Sequence, residues 1–293
     1  MPIDSGTGLG GEENLALLTS LAQLTAKTRR ALIFLWTRYF PVDALTGTRI
    51  YNLVSLTKIG SDYGGWVIPP EAIEARSVCY CAGVGEDITF DLGIIGQCNC
   101  EVFAFDPTPR AKVHVEKHAQ DVPKFHFCAV GVWDEDAMMK FYVPANPAHV
   151  SHSVLNLQKT EAYFEAQCKR LSTIMQDNGH ARIDLLKLDI EGAEYKVIDS
   201  ILHDRLDIGM ICVEYDEGYN SLDDQYFTRI KQSVASLLDA GYAMAAVEPR
   251  CNYTFIRNDL LRALGGANYL LNSMKRFTTD VRRIPRKLGA LCS

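Results

Sequence analysis

The stretch IDLLKLDIEGAE, residues 183–194, decides the fold. Four of its first six residues are apolar and do not alternate strictly with polar ones, as expected for a strand that a sheet buries on both faces. Asp189 and Glu191 follow this strand, and Glu194 begins a helical run. Open α/β sheets bind ligands at the carboxyl ends of their parallel strands, so the stretch predicts a ligand-facing edge. The alternative is helix capping, because acids in a first turn favour the helix dipole.

Short β-rich runs alternate with helical runs on both sides of this stretch. Strands are predicted at residues 78–82, 101–105, 125–130, 183–188, 209–215, 242–248 and 253–257. Helices are predicted at 87–95, 193–202 and 223–240. This alternation is typical of an α/β protein with a doubly wound, mostly parallel sheet. Residues 140–171 break the rhythm with an alternating pattern that predicts a β-hairpin insertion over one edge.

The chain divides into three predicted parts. Residues 1–60 form an N-terminal helical extension that packs on the sheet or on a second copy of the chain, giving a homodimer through these helices. Residues 61–260 form the main domain, and 261–293 form a basic C-terminal tail. Between Lys275 and Lys287 the tail has six basic residues and one acid. A solvated surface is favoured there over a contact with phosphate, nucleic acid or an anionic membrane.

Composition narrows the function classes. The 293 residues are 47% apolar and 23% charged, a globular balance. The net charge of −6 argues against a surface that binds nucleic acid throughout. Nine cysteines, several of them in apolar runs, suit a reducing compartment better than a disulfide framework. Neither a signal-peptide pattern nor a clean apolar run of about 18 residues is found, so a cytoplasmic protein is predicted.

A glycine-containing loop follows the strand at 78–82. Gly83 and Gly85 allow the backbone to pass close to a ligand, and the next helix presents free N–H groups. Ile88 stands where a dinucleotide fingerprint needs a third glycine, and the sequence has no Tyr-x-x-x-Lys pair. Both features weaken the alternative of an NAD(P)-dependent oxidoreductase. A simple packing turn between strand and helix is the other interpretation.

Asp106 ends the next strand, 21 residues after Gly85. Folds of this kind place an acid on a ribose diol at an offset of about 20 residues, where the carboxylate accepts bonds from both hydroxyls. The alternative is a turn aspartate ahead of Pro107 and Pro109. Together with the glycine loop, Asp106 favours nucleoside binding.

Four segments together resemble the FkbM family of S-adenosylmethionine-dependent methyltransferases. They are GVGED (83–87), FAFDPTPR (103–110), KLDIEGAE (187–194) and ICVEYDE (211–217). The segments KIGSDYGGWVIP (58–69) and NYTFIRND (252–259) are also similar to members of that family. The resemblance implies a seven-stranded class I, Rossmann-like fold with S-adenosylmethionine as cofactor. It also implies methyl transfer to a hydroxyl, and we expect a small molecule or a sugar as acceptor.

The resemblance also implies cofactor contacts by position. Gly83 and Gly85 would pass under the methionine part, and Asp106 would take the ribose hydroxyls. Ala129 and Val130 would border the adenine.

One position departs from the family pattern. Cys81 stands two residues before the first glycine, where the family has an acid. Glu86 or Asp87 would then contact the amino group of the cofactor. This departure keeps open the alternative of a methyltransferase-like binding protein without turnover.

The methyl-donor end is expected at Asp189 and Glu191. Asp189 would also border the cofactor, and a carboxylate here could take the proton of a hydroxyl acceptor during attack. His152 could reach in from the insertion as a catalytic group, although a loop histidine is more often solvated. Other side chains predicted to bind the acceptor are Glu214, Asp216 and Trp66.

Three further interpretations are weaker. Asp189, Glu191, Glu214 and Asp216 are oxygen ligands that Mg²⁺ prefers, but they lie far apart in sequence, so the sequence favours no metal. The cysteine pairs at 79/81 and 98/100 lack the usual zinc spacing and read as ordinary thiols. Against a nucleic-acid methyltransferase stand the acidic chain and the lack of an Asn/Asp-Pro-Pro-Tyr/Phe motif.

Overall fold

A seven-stranded sheet organises the part of the chain that the computed structural model describes, residues 43, 45–51, 56–146, 151–218, 221–248 and 252–265. The strands are β1 (Thr57–Ile59), β2 (Trp66–Ile68), β3 (Val78–Ala82), β4 (Glu101–Phe105), β5 (Phe125–Cys128), β6 (Gly131–Trp133), β7 (Ala137–Tyr142), β8 (Tyr163–Arg170), β9 (Ile183–Leu188), β10 (Ile208–Glu214), β11 (Tyr242–Glu248) and β12 (Asn252–Arg257). The α-helices are α1 (Thr89–Cys98), α2 (Pro109–His118), α3 (Leu171–Asn178), α4 (Glu194–Asp204), α5 (Tyr226–Asp239) and α6 (Asn258–Ala263). Short 3₁₀ turns lie at Pro70–Ala72 and Asp216–Gly218.

The strand order of the main sheet is β11-β12-β10-β9-β3-β4-β5. The neighbours from β10 through β9, β3 and β4 to β5 pair in parallel, and β12 pairs antiparallel with both β10 and β11. From β3 the chain adds β4 and β5 on one side of that strand, and it then returns to add β9 and β10 on the other side. Such a switch point opens a crevice at the carboxyl ends of the strands, which is where ligands bind in these folds. The predicted doubly wound, mostly parallel, Rossmann-like architecture is confirmed.

Two apolar cores cover the two faces of the sheet. Alternate residues of each strand enter opposite cores, so that on β9 Leu185 faces one core and Leu186 the other. Helix α1 contributes Phe90 and Ile94 to the first core, and α4 contributes Val197 to the second. Burial on both faces explains why the central strands read as continuous apolar runs.

The insertion is larger than the predicted hairpin. It is a three-stranded sheet of order β6-β8-β7, and it begins at Gly131 rather than at residue 140. A Cβ at Gly131 would lie 2.5 Å from Cys168 Sγ, so this close packing needs glycine. The predicted strand 125–130 therefore ends at Cys128, and β6 starts after a short turn. Helices α2, α3 and α6 were not predicted.

Several predictions fall outside the described residues. They include most of the N-terminal helical extension, the homodimer expected through it, and the basic tail after residue 265. Over the described residues, the longest and most apolar helices fall short of what a bilayer span requires.

Candidate functional site

A cleft of about 810 Å³, measured to its open mouth, lies at the carboxyl ends of β3, β4 and β9. It brings together predicted site residues from four separate segments of the chain. These are Gly83, Gly85, Glu86, Asp87, Asp106, His152, Asp189 and Glu191.

Asp106 holds the glycine loop in place. Its Oδ2 accepts hydrogen bonds from the backbone N–H groups of Val84 and Gly85, both at 2.9 Å. Its Oδ1 accepts a bond from Thr108 N at 2.8 Å. An ionised carboxylate offers about four acceptor positions, so about one is left, on Oδ1, for a ligand. Asp106 therefore shapes the loop as well as facing the cleft.

The loop itself needs its glycines. Gly83 and Gly85 have φ values of 83° and 53°, in the left-handed region. A Cβ on Gly83 would lie 1.7 Å from the carbonyl oxygen of Asp189, so the β3 and β9 loops touch at the backbone. The cleft therefore lies directly against the main chains of these two loops.

Asp87 joins the β1–β2 hairpin to the start of α1. Ser61 Oγ donates to Asp87 Oδ2 at 2.5 Å, and Thr89 donates to Oδ1 through both its N–H and its hydroxyl at 2.9 and 2.6 Å. Gly64 packs directly on Asp87, since a Cβ there would lie 2.8 Å from Oδ2. These bonds commit Asp87 to holding the hairpin over the loop.

Glu86 lies at the rim of the cleft. Its carboxylate forms an ion pair with Arg110 of α2 at 2.6 Å, and both side chains are substantially exposed. The hydrogen bond from Arg110 lowers the pKa of Glu86. Glu86 and Asp87 are the two acids expected to replace the acid that the family has at position 81. Glu86 is the more exposed of the two, whereas the carboxylate of Asp87 already accepts hydrogen bonds from Ser61 and Thr89.

Lys187 is a site residue that the sequence reasoning missed. The side chain is 3% exposed, and its Nζ lies 2.6 Å from the Gly83 carbonyl oxygen and 3.1 Å from Asp189 Oδ2. Burial alone would lower the pKa of Lys187, but the carboxylates of Asp189 and Asp91 hold it above its usual range. A lysine inside an otherwise apolar strand was the available signal, because such a charge needs a partner when buried.

Glu191 combines an unusual backbone with an unusual carboxyl group. Its φ is 56°, a conformation that costs free energy for a residue with a side chain. Ser153 Oγ donates to the Glu191 carbonyl at 2.5 Å and helps to hold it. Burial and the nearby charges of Asp189 and Asp106 raise the pKa of Glu191 to about 7, although a bond from Ser151 opposes the shift. Such a carboxyl can exchange protons near neutral pH.

Three further acids are close enough to Glu191 for its charge to raise their pKa values. Glu194 Oε1 accepts from the N–H groups of Ile190 and Gly192 at 3.0 and 3.2 Å, and burial raises its pKa to about 8. Burial also raises the pKa of Glu214 to about 8 and that of Asp216 well above its usual range. Glu214 and Asp216 are not among the residues that line the cleft, and their expected role in binding the acceptor stays a prediction.

Other expected contacts also differ in place. Trp66 is 1% exposed and packs in the first core, because β2 turns that side chain away from the cleft. Ala129 and Val130 do not line the cleft, and the next two residues, Gly131 and Val132, line it instead. The chain enters β6 at this point, which brings the later pair to the wall.

His152 does line the cleft, from the insertion side. Its ring packs edge-on against Phe164 of β8, with 5.5 Å between the ring centres. Within the described part of the chain, no group of three or more His, Cys, Asp or Glu side chains is arranged to hold a metal ion.

Comparisons with known proteins place the chain in a family. Among curated proteins, the probable methyltransferase-like protein 24 of Homo sapiens is 30% identical over 138 residues, and that of Rattus norvegicus is 29% identical over 137. Each match covers 46% of this chain but only 31% of the relative, so the chain aligns with about a third of their length. A solved structure of the Methanococcus jannaschii fibrillarin pre-rRNA processing protein matches with a TM-score of 0.39 and 12% identity, over 66% of this chain and 70% of that one.

A family model described as the methyltransferase FkbM domain matches residues 42–244. That range includes the glycine loop, Asp106, the β9 acids and the insertion, which together build the cleft. The family match covers most of the chain, and therefore the chain belongs to the FkbM methyltransferase domain family, whose cofactor is S-adenosylmethionine.

Proposed function

We propose that the domain at about residues 61–260 transfers a methyl group from S-adenosylmethionine to a hydroxyl on a small molecule or a sugar. The observation that carries the proposal is the cleft at the strand ends, where Glu191 lies beside the glycine loop and Asp106. The raised pKa of Glu191, about 7, is consistent with a general base. The cofactor supplies a sulfonium-bound methyl group that is already reactive. The protein therefore has to bind the cofactor and the acceptor, orient them for transfer, and take up the proton that the hydroxyl releases.

The residues of the cleft fit such a cofactor. Gly83 and Gly85 bring the main chain close to the ligand, and the remaining acceptor position on Asp106 Oδ1 suits one ribose hydroxyl. Gly131 and Val132 form the opposite wall, where an adenine would pack. Glu86 at the rim is the acid within reach of an amino group. These roles are proposals that rest on the position of each residue in the cleft.

The acceptor is proposed to bind beside Glu191 and His152, which both line the cleft. Glu191 takes the hydroxyl proton, while Asp189 contributes negative charge that keeps the pKa of Glu191 raised. His152 is the second candidate for the proton acceptor, since it lines the cleft between Ser151 and Ser153, which both bond to Glu191. A hydroxyl is favoured because it is a poor nucleophile until a base removes its proton.

The test compares Glu191→Gln with the wild type. S-adenosylmethionine binding is measured by calorimetry with NAD⁺ and NADP⁺ as comparison ligands, and S-adenosylhomocysteine release is followed over a panel of sugars, phenols, amines and RNA. We expect Glu191→Gln to bind the cofactor normally and to turn over about 100-fold more slowly or worse. Glu165→Gln, on an exposed position of β8, is the matched control.

Two outcomes would contradict the proposal. Full turnover in Glu191→Gln would remove its role as the base, and His152→Ala would then be tested in the same assay. Release of S-adenosylhomocysteine with amines or RNA but with no hydroxyl compound would exclude the proposed acceptor class.

A further inference from the structure

Two side chains of opposite charge, Lys187 and Asp91, are buried beneath the glycine loop. Lys187 is on the face of β9 that meets the first core, and it stands opposite Cys81 of β3 in the strand register. Asp91 comes from the first turn of α1 and is 1% exposed in the same core. A charged group in such a place is strongly unfavourable unless an opposite charge accompanies it.

Asp91 makes few hydrogen bonds for a buried carboxyl group. It lies in the first turn of α1, yet the helix has no side-chain cap, and over the described residues only weak hydrogen bonds, from the Cys81 thiol and from its own backbone N–H, reach the carboxyl group of Asp91. Burial raises the pKa of Asp91, and the charge of Lys187 is the largest influence that opposes the rise. A carboxyl group buried with so few hydrogen bonds is costly, and the opposite charge of Lys187 offsets part of that cost.

The remaining partners of Lys187 belong to two walls of the cleft. The Gly83 carbonyl is part of the cofactor loop, and Asp189 ends β9 at the proposed methyl-donor side. The two segments also meet directly, because Asp189 N donates to Ala82 O at 3.1 Å. An ammonium group has three donors, so one side chain can hold a carbonyl and a carboxylate at once.

We propose that Lys187, balanced in charge by Asp91, is a positioning residue that fixes the Gly83 carbonyl and the Asp189 carboxylate relative to each other. Its role goes beyond stabilising the core, since it joins the loop that binds the cofactor to the acids at the reaction end. The proposal rests on the proposed function for its effect on turnover, but its effect on the loop does not depend on that function.

The test uses Lys187→Met, Asp91→Asn and the double variant Lys187→Met/Asp91→Asn. Lys187→Met leaves Asp91 without an opposite charge in the core, and Asp91→Asn leaves Lys187 with Asp189 as its remaining opposite charge, so both are expected to lower the thermal midpoint. The double variant removes both charges, and its midpoint is expected to return towards that of the wild type. Lys169→Met/Asp177→Asn, which removes an exposed ion pair, is the matched control.

Positioning is then measured in the folded double variant. We expect amide hydrogen exchange to accelerate in residues 83–87 and 189–192, about tenfold weaker binding of S-adenosylmethionine, and about 100-fold slower turnover. If Lys187 and Asp91 only balance each other's charge in the core, the double variant should show wild-type exchange, binding and turnover, and that result would overturn the inference.

The two proposals fail in different ways. If the wild type binds no S-adenosylmethionine, the proposed function is wrong, while exchange at 83–87 and 189–192 still decides the role of Lys187. If the wild type binds and turns over but the double variant matches it in all three measurements, the role of Lys187 is wrong and the proposed function stands. Should Lys187→Met not fold alone, the double variant carries the test.

Discussion

At the scale of single residues, the cleft concentrates features that a folded chain usually avoids. Glu191 has a left-handed backbone, and its carboxyl group is largely removed from water beside other acids. Backbone N–H groups occupy most of the hydrogen-bond acceptor positions of Asp106. Strain and shifted pKa values of this kind cluster at functional sites, where neighbouring structure holds them in place.

The pH dependence of turnover should report Glu191. A base with a pKa of about 7 is active when deprotonated, so the rate should rise with pH and level off above 7. Asp189→Asn removes a nearby negative charge that raises this pKa, so the rise should move to lower pH. The rate is measured from pH 5.5 to 8.5 for both proteins. If the rise of the rate with pH stays at the same pH in Asp189→Asn, or persists in Glu191→Gln, the titrating group is not Glu191.

Asp106→Asn should weaken both the loop and the cofactor site. The amide keeps one acceptor oxygen but presents an NH₂ group where the carboxylate accepted backbone bonds. We expect a loss of about 1–3 kcal/mol in S-adenosylmethionine binding, measured by calorimetry, together with a lower thermal midpoint. Asp121→Asn, on the exposed turn after α2, is the control. Unchanged cofactor affinity in Asp106→Asn would separate this residue from the binding site.

At the scale of elements, the start of α4 carries a buried acid. Glu194 satisfies two backbone N–H groups ahead of the helix through Oε1, while its Oε2 has no hydrogen-bond partner in the described structure. Its charge is also the largest of those that raise the pKa of Asp216. The turn that holds Glu191 is therefore built on a carboxyl group that is easier to bury in its protonated form.

Stability should consequently fall as pH rises from about 4.5 to about 8. Glu194 has a folded pKa of about 8 against 4.5 in the unfolded chain, so the folded state keeps a proton that the unfolded state releases. This costs up to about 1.4 kcal/mol of unfolding free energy per pH unit in that window. Glu194→Gln keeps the accepting oxygen and removes the titration, so its stability should depend less on pH. Urea unfolding at pH 5 and pH 8 measures this, with exposed Glu116→Gln as control; parallel losses in all three proteins would contradict it.

The elements also indicate what the sequence could predict. Strands β3, β4, β9 and β11 have the predicted bounds, because a strand buried on both faces gives an unbroken apolar run. Helix α2 was missed because only Ala111 and Val115 of its residues are buried, which leaves little periodic signal. Strand β6 has three residues and pairs with β8, more than 30 residues later in the chain, a distance that local patterns do not encode.

The candidate site could be predicted from the sequence to about the same extent as the fold. Strand-end acids and glycines follow from topology, and the structure brings them to one cleft. Sequence patterns do not show that Asp106 accepts hydrogen bonds from the glycine loop or that Lys187 is balanced by carboxylates. Both features depend on contacts between separate strands and a helix. Trp66 was misplaced because an aromatic residue near a strand end has the same sequence pattern whether it lines a pocket or packs in a core.

At the scale of the whole molecule, a net charge of −6 is combined with a cleft rich in acids. Glu86, Asp87, Asp106, Asp189 and Glu191 line it, together with a lysine that is already paired. The local field should therefore favour a cation over a neutral ligand of the same shape. S-adenosylmethionine carries a sulfonium charge that S-adenosylhomocysteine lacks, so the two ligands form a matched pair for measuring this field.

Raising the salt concentration should weaken S-adenosylmethionine binding more than S-adenosylhomocysteine binding. At pH 8 most Glu191 carboxyls are ionised, and the cleft is open enough for ions to screen its charges. We expect the ratio of the two dissociation constants to shift in favour of S-adenosylhomocysteine by about threefold between 50 and 500 mM NaCl, measured by calorimetry. Neutral adenosine is the control and should follow S-adenosylhomocysteine. If all three ligands respond alike, the sulfonium does not lie near Asp189 and Glu191, and the proposed methyl-donor end has to be placed elsewhere in the cleft.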